Sequence, residues 1–370
     1  MEVAEATLRA AETAPDLDGA IAAATDAVTR FRAALDLAPG GLAPGGLAPE
    51  ARAPLDWAET QTRLSAALRL LGALLDDVDL LHDAIRSAQA ALSVAPLATA
   101  PQVWGRARAA LGSVYVVLGE RDGDLATLAE AAANYAEALE GFPRVAFPLD
   151  WARMLRNRGA ALALAAEAGN DPDALHDAIG CYRAALEVYS PAATPAAAGL
   201  AASAPADRAP ADRALADRAL ADWALADPAM ADRVRADWAL TQSNLGQALR
   251  LLGERSGDTP DGTPNGAPDG TPNGTHHLHE AVAACEAALA ATARDAAPEE
   301  RAMVTTNLAN ALAALGERAG DPDSLRRAID AYRQALAALG GPRWLRQRAI
   351  ARHNLRLAEQ RLAALQADAP

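Results

Sequence analysis

The 370-residue chain contains no lysine. All 34 of its basic residues are arginine, set against 48 acidic ones, for a formal charge of −14. The absence excludes chemistries that need an ammonium group: the P-loop lysine on nucleotide phosphates, the strand lysine of kinases, and the Schiff base of pyridoxal phosphate or aldolase enzymes. Cysteine is nearly as scarce. Cys181 and Cys285 form no C-x-x-C pair and are too few for a disulfide framework, which fits a reducing compartment. Aromatic residues make up only 4%, although apolar residues reach 51%, because alanine supplies about a quarter of the chain. So small a set of core side chains suits closely packed helices rather than a sheet rich in Val, Ile and Tyr. Long apolar runs are missing too: the most apolar stretch, Gly159 to Gly169, is too short for a membrane span and contains Glu167, and the opening MEVAEATLRA has no signal-peptide core. A pI near 4.9 argues against nucleic acid or an anionic membrane as a partner. These absences predict a soluble cytoplasmic protein.

What is present is a repeat. Trp57, Trp104 and Trp151 stand 47 residues apart, as do Leu81, Leu128 and Leu175, and again Leu278 and Leu325. Each of those five leucines opens one pattern: LHDAIRSAQAAL, LAEAAANYAEAL, LHDAIGCYRAAL, LHEAVAACEAAL and LRRAIDAYRQAL. Apolar or small residues fall at offsets 0, 3, 4, 7, 10 and 11, a single helix face. Upstream of each lies a second pattern: DWAETQTRLSAAL, VWGRARAALGSVY, DWARMLRNRGAAL, DWALTQSNLGQAL and ERAMVTTNLANAL. Eight positions after its Trp slot stands a small residue, Ser65, Gly112, Gly159, Gly246 or Ala309, which lets a neighbouring helix approach closely. Between the patterns, LGERDGD, AAEAGNDPD and LGERAGDPD place Gly to end the first helix and Asp, in two cases followed by Pro, to start the second. Each unit is predicted to be a helix-turn-helix hairpin.

The order Leu111-Gly112, Tyr115, Ala131, Tyr135, Ala138 and Pro143, with Leu245-Gly246 and Leu249 matching in the fourth unit, resembles the tetratricopeptide repeat. That repeat has 34 residues; this one has 47, with about seven extra between the small residue and the second-helix alanine and the rest after that helix. The long form, DWA-x-TQ-x-NLG-x-AL-x-x-LGER followed by AI-x-x-Y-x-x-AL, is similar to repeats common in bacterial signalling and conflict proteins, where they accompany caspase-like peptidase or nucleotide-binding switch domains. The resemblance covers about residues 17 to 366.

The spacing also locates interruptions. Trp151 to Trp238 is 87 residues, 40 beyond one repeat, and Leu175 to Leu278 is 103, 56 beyond. An insertion therefore occupies about 191–234 and a second interrupts the fourth unit at about 258–275; a Gly/Pro linker spans 39–52. The large insertion repeats ADRAL-like pentads. A pentapeptide β-helix would need apolar residues where Arg213, Arg218, Trp223, Pro228 and Arg233 stand, and as an α-helix the pentad scatters Leu215, Leu220, Leu225 and Met230 round the cylinder. A partly helical or loose extension of the DWAL helix start, interrupted by Pro228, is the expectation. DTPDGTPNGAPDGTPNGT at 258–275 lacks the closing Glu of a calcium loop and predicts a flexible connection.

Chemistry-bearing motifs are few. His276, His277, His279 and Cys285 are the one metal-capable cluster, yet His279 shares a repeat slot with His82 and His176, and Cys285 fills the slot of Tyr135, Tyr182 and Tyr332. That points to framework roles, leaving at most a loose site with two frayed histidines. No nucleophile elbow, H-E-x-x-H or glycine-rich phosphate loop occurs, so no catalytic residue, metal site or cofactor is expected.

The sequence thus predicts an all-α, right-handed superhelical solenoid of antiparallel helix hairpins. It comprises an N-terminal helical segment at 1–38, three units at 53–190, two more at 235–343, and a polar capping helix at 344–370. In tetratricopeptide arrays the residue before the Leu-Gly pair faces a concave groove, commonly as Asn. The resemblance implies that role for Asn157, Asn244, Asn307 and Asn354, with Asn310 three beyond Asn307; Arg63 and Ala110 depart from it. Asn amides can hydrogen-bond an extended peptide backbone, and Arg153, Arg156, Arg348 and Arg352 can grip carboxylates. The same Asn side chains can instead bond neighbouring helices. The function expected is a non-catalytic scaffold that binds a protein or peptide partner. The alternative is a sensor or regulatory subunit for a separate peptidase or nucleotide-binding switch protein.

Overall fold

A computed structural model describes residues 2–14, 16–37, 54–189, 228–256, 274–292, 298–340 and 344–367. The linker at 39–52, residues 191–227 of the large insertion and 258–273 of the predicted flexible connection lie outside them. Among the described residues, regular secondary structure is helical throughout, as the all-α reading requires. The chain divides into two compact units, Met1–Gly169 and Asn170–Pro370.

The first unit holds α1 (Glu2–Thr13), α2 (Leu17–Leu37), α3 (Pro54–Leu75), α4 (Val78–Val94), α5 (Pro101–Asp122), α6 (Leu125–Ala138, followed by a 3-10 turn at Leu139–Gly141) and α7 (Pro148–Gly169). Each packs on its neighbours in sequence, and α3 also touches α5, which touches α7. The second unit holds α8 (Pro172–Tyr189), α9 (Pro228–Arg255), α10 (Gly274–Ala291), α11 (Pro298–Ala319), α12 (Pro322–Ala338) and α13 (Leu345–Ala367). Sequential packing recurs there, with α9 touching α11 and α11 touching α13. Seven helices open on proline, whose fixed φ suits the first helical position and whose missing N–H has no helical partner to lose.

The turns between paired helices share one design. Gly123 and Gly320 end their helices at φ 66° and 62°; the equivalent Asp76 and Asn170 adopt φ 54° and 53°. The next residue caps the following helix. Asp77 accepts from the N–H of Asp79 at 2.9 Å, Asp171 from Asp173 at 2.9 Å, Asp124 from Ala126 at 3.1 Å, and Asp321 from Asp323 at 3.0 Å. The Asp124 and Asp321 carboxyls are held below the ordinary aspartate value of 3.8, first by the hydroxyls of Thr127 and Ser324 and then by these N–H groups.

Packing explains the repeat slots. Leu81, Leu128, Leu175, Leu278 and Leu325 are buried, as are Ala84, Ala131, Ala178, Ala281 and Ala328. Burying one such leucine is worth about 2 kcal/mol. Room for it comes from a glycine on the preceding helix: a Cβ at Gly119 would lie 2.7 Å from Leu128 Cγ, at Gly253 2.8 Å from Leu278 Cγ, and at Gly316 2.8 Å from Leu325 Cγ. The other small slot works likewise. A Cβ at Gly112 would meet Ala131 O and Tyr135 Cε2, each at 3.1 Å, and one at Gly246 would collide with Cys285 Sγ.

The N-terminal segment proves to be a sixth copy of the pattern. From Leu17 the same offsets hold Ala20, Ile21, Ala24, Ala27 and Val28, with Ala20, Ala24, Ala27 and Val28 buried. Asp16 Oδ1 accepts from Gly19 N at 2.7 Å in place of the other caps. A further framework slot, 14 residues after the leucine, holds the buried Phe31, Ala95, Phe142, Tyr189 and Leu339. Two expectations are revised. Pro228 does not interrupt a helix but starts α9, seven residues ahead of the expected fourth unit at 235. His276 and His277 are not frayed, since α10 already begins at Gly274 and His277 is buried.

Gly316→Ala is expected to destabilise the second unit by about 1–3 kcal/mol, because backbone atoms of Leu325 and Asp321 also crowd the new Cβ at 3.0 and 3.1 Å. Leu325→Ala added to it should cost less than the two changes measured separately, which urea unfolding of the single and double variants checks. The caps make a second prediction. Because the folded carboxyls of Asp124 and Asp321 bind protons less readily than in the unfolded chain, their contribution is complete above pH 3.8 and is lost as pH falls through their lower folded values. Melting midpoints should drop on acidification below about pH 4, and less steeply in an Asp124→Asn, Asp321→Asn double variant.

Candidate partner-binding surface

In the first unit the sequence-derived residues all lie on α7. Arg153 is exposed and pairs with Asp150 one turn earlier. Asn157, one turn further on, is half-buried and makes no side-chain hydrogen bond to another described residue. Arg156 is half-buried, and its charge, with that of Arg69 on α3, acts on Tyr135 of α6. Burial pushes the Tyr135 phenol up, and its hydroxyl is hydrogen-bonded to Ser113 of α5 at 2.9 Å.

In the second unit Asn244, Asn307 and Asn354 occupy the same slot on α9, α11 and α13. Asn307 Nδ2 donates to Ser243 Oγ on α9 at 2.9 Å. Asn354 Nδ2 donates to Asn310 Oδ1 on α11 at 3.0 Å, and the same oxygen accepts from the Tyr332 hydroxyl of α12 at 2.6 Å. Asn310 therefore ties three helices together, and burial pushes the Tyr332 phenol upward. Asn244 is half-buried, and its amide makes no hydrogen bond to another described residue.

The two remaining arginines stand apart from this row. At 100° per residue, Arg352 lies nearly opposite Asn354 round α13, and Arg348 about a third of a turn from it. Arg352 is exposed, while the Nε of Arg348 is buried without an acceptor. The geometry thus brings Asn307, Asn310 and Asn354 onto shared helix contacts, leaves Asn157 and Asn244 as uncommitted amides, and does not join Arg348 or Arg352 to them.

Sequence reasoning overlooked the partners that hold these positions. The pair Ser113–Tyr135 recurs as Asn310–Tyr332, a polar residue three beyond the Asn slot facing the repeated tyrosine, so both halves were visible at fixed offsets. The arginine of LGER was also missed. Arg121 Nε donates to Asp76 Oδ1 at 2.7 Å, and Arg318 donates to the carbonyls of Ser256 at 2.8 Å and Glu254 at 3.1 Å, so each ties its helix to the end of an earlier one.

The histidine cluster does not converge. His276 and His277 approach Glu280 Oε2 at 3.8 and 3.7 Å, His279 is exposed, and Glu280 also pairs with Arg183 of α8. Among the described residues no three His, Cys, Asp or Glu side chains are grouped to hold a metal. Cys285 is fully buried, and burial pushes its thiol up to about 12, far from a reactive thiolate. No described helix is long and apolar enough to cross a membrane. Compared with known proteins, the chain matches no protein-family model and no curated protein.

Asn310→Ala is expected to lower stability by about 1–2 kcal/mol, since it leaves both the Tyr332 hydroxyl and the Asn354 amide without their acceptor. Asn244→Ala should stay within about 0.5 kcal/mol of the parent. Chemical denaturation of the two variants side by side checks the contrast.

Proposed function

We propose that the protein is a non-catalytic interaction scaffold: a right-handed superhelical stack of antiparallel hairpins of the tetratricopeptide type, whose concave groove binds an extended segment of a protein partner. The observation that carries this reading is the row of Asn side chains on α9, α11 and α13. Within it, Asn244 is uncommitted, and Asn307 and Asn354 each engage a neighbouring helix through the amide nitrogen alone. An amide oxygen set at one slot per repeat suits an acceptor for the N–H groups of an extended backbone, independent of the partner's side chains. Asn157 offers the equivalent group on α7. In this reading Asn310 belongs to the framework, and cationic recognition falls to arginine forks. The acidic charge and the absence of a described membrane-spanning helix favour a protein partner in the bacterial cytoplasm over nucleic acid or lipid.

Pull-down from the native host tests the proposal. Asn157→Ala combined with Asn244→Ala should reduce partner capture at least about tenfold, the effect of losing two backbone-directed hydrogen bonds, with an unchanged melting midpoint. Capture equal to that of the parent chain would contradict the groove.

A further inference from the structure

The last helix, α13, carries a charge that the rest of the structure does not answer. It holds five arginines against one glutamate, in a chain whose formal charge is −14. Most arginines before it are held: Arg30 by Asp26, Arg32 by Asp83, Arg106 by Glu59, Arg183 by Glu280, Arg327 by Glu286. On α13 only Arg361, with Glu317 of α11, is paired. Arg346, Arg348, Arg352 and Arg356 have no acidic partner among the described residues. The repeat register shows what face this is. Arg356 stands in the small slot of Gly112 and Gly246, where the other units press their second helix, and Arg352 stands in the slot of the buried Gln242 and Thr305. The same helix exposes Leu345, Ile350 and Leu357, at 61%, 48% and 46%. At 100° per residue Leu345 shares the face of Arg348, Arg352 and Arg356, and an exposed apolar side chain among unpaired cations is the make-up of an interface rather than of a purely solvated cap.

The other end of the chain has the complementary make-up. Residues 2–37, which form α1 and α2, carry seven acidic and three basic side chains. Glu2, Glu12, Asp18 and Asp36 are exposed and have no cationic partner among the described residues, and Val3 beside Glu2 is 61% exposed. We infer that the protein associates head to tail, the arginine face of α13 in one copy docking on the acidic α1–α2 pair of a second copy. Pairing α13 with α13 would set like charges against each other, so the contact joins unlike surfaces, which two copies can make once or reciprocally.

Sedimentation velocity on the full chain tests this over a wide concentration range. Dimers or larger species should appear as concentration rises, and the association should weaken at least about tenfold towards 1 M salt, where charges are screened beyond about 3 Å. Arg352→Glu with Arg356→Glu should yield monomers, as should Glu2→Arg with Glu12→Arg, and mixing the two variants in equal amounts should restore assembly. A chain that stays monomeric at every concentration overturns the inference. So does association indifferent to salt and to both reversals. The circular dichroism spectrum of each variant should equal that of the parent; if the Arg352/Arg356 reversal unfolds the chain, Arg352→Gln with Arg356→Gln takes its place and carries the same expectation of monomers.

Discussion

The structure depends on the closeness with which two helices can approach where a Cβ is missing. Gly119, Gly253 and Gly316 let Leu128, Leu278 and Leu325 seat against a bare backbone, and Gly112 and Gly246 do the same for the tyrosine slot and its cysteine replacement. With aromatics at 4% the chain has few large side chains with which to fill wide gaps, so it builds its core by narrowing them. This is the physical content of the alanine excess. The buried Ala84, Ala131, Ala178, Ala281 and Ala328 line the same narrow contacts, whereas most alanines of the pentad insertion lie outside the described residues.

A core this uniform leaves specificity to its polar exceptions. Asn310 accepts from Tyr332 and Asn354 and so locks α11, α12 and α13 in one register; Ser113 and Tyr135 lock α5 to α6. Next to these committed groups stand amides of the same residue type with no such commitment. The slot of Asn307 and Asn354, whose amides donate to a neighbouring helix, is left without such a bond at Asn157 and Asn244, according to whether a polar neighbour faces it.

Much of this was legible in the sequence. The 47-residue spacing revealed helix pairs, caps and the buried leucines, because helical periodicity and turn chemistry are local and survive without knowledge of neighbours. The N-terminal copy escaped because the Gly/Pro linker stretches its spacing to 64 residues, from Leu17 to Leu81, although its offsets are intact. The committed state of Asn310 escaped for a different reason: its partners lie 22 and 44 residues away, and only the fold decides that both reach one oxygen. In the sequence alone Pro228 resembles a breaker because its surroundings are repetitive, while its position at the start of α9 makes it an initiator.

The LGER arginines give the array a direction. Arg121 reaches back to Asp76, and Arg318 back to the carbonyls of Ser256 and Glu254, so each later helix leans on a turn that precedes it in the chain. During synthesis from the N-terminus, the acceptor is already in place when its arginine leaves the ribosome. Each new pair is then added to a finished edge rather than to an open one. Loss of the turn at Asp76 would strand the Arg121 guanidinium, while ties such as Arg183 to Glu280 and Arg333 to Glu359 run the other way and depend on later helices.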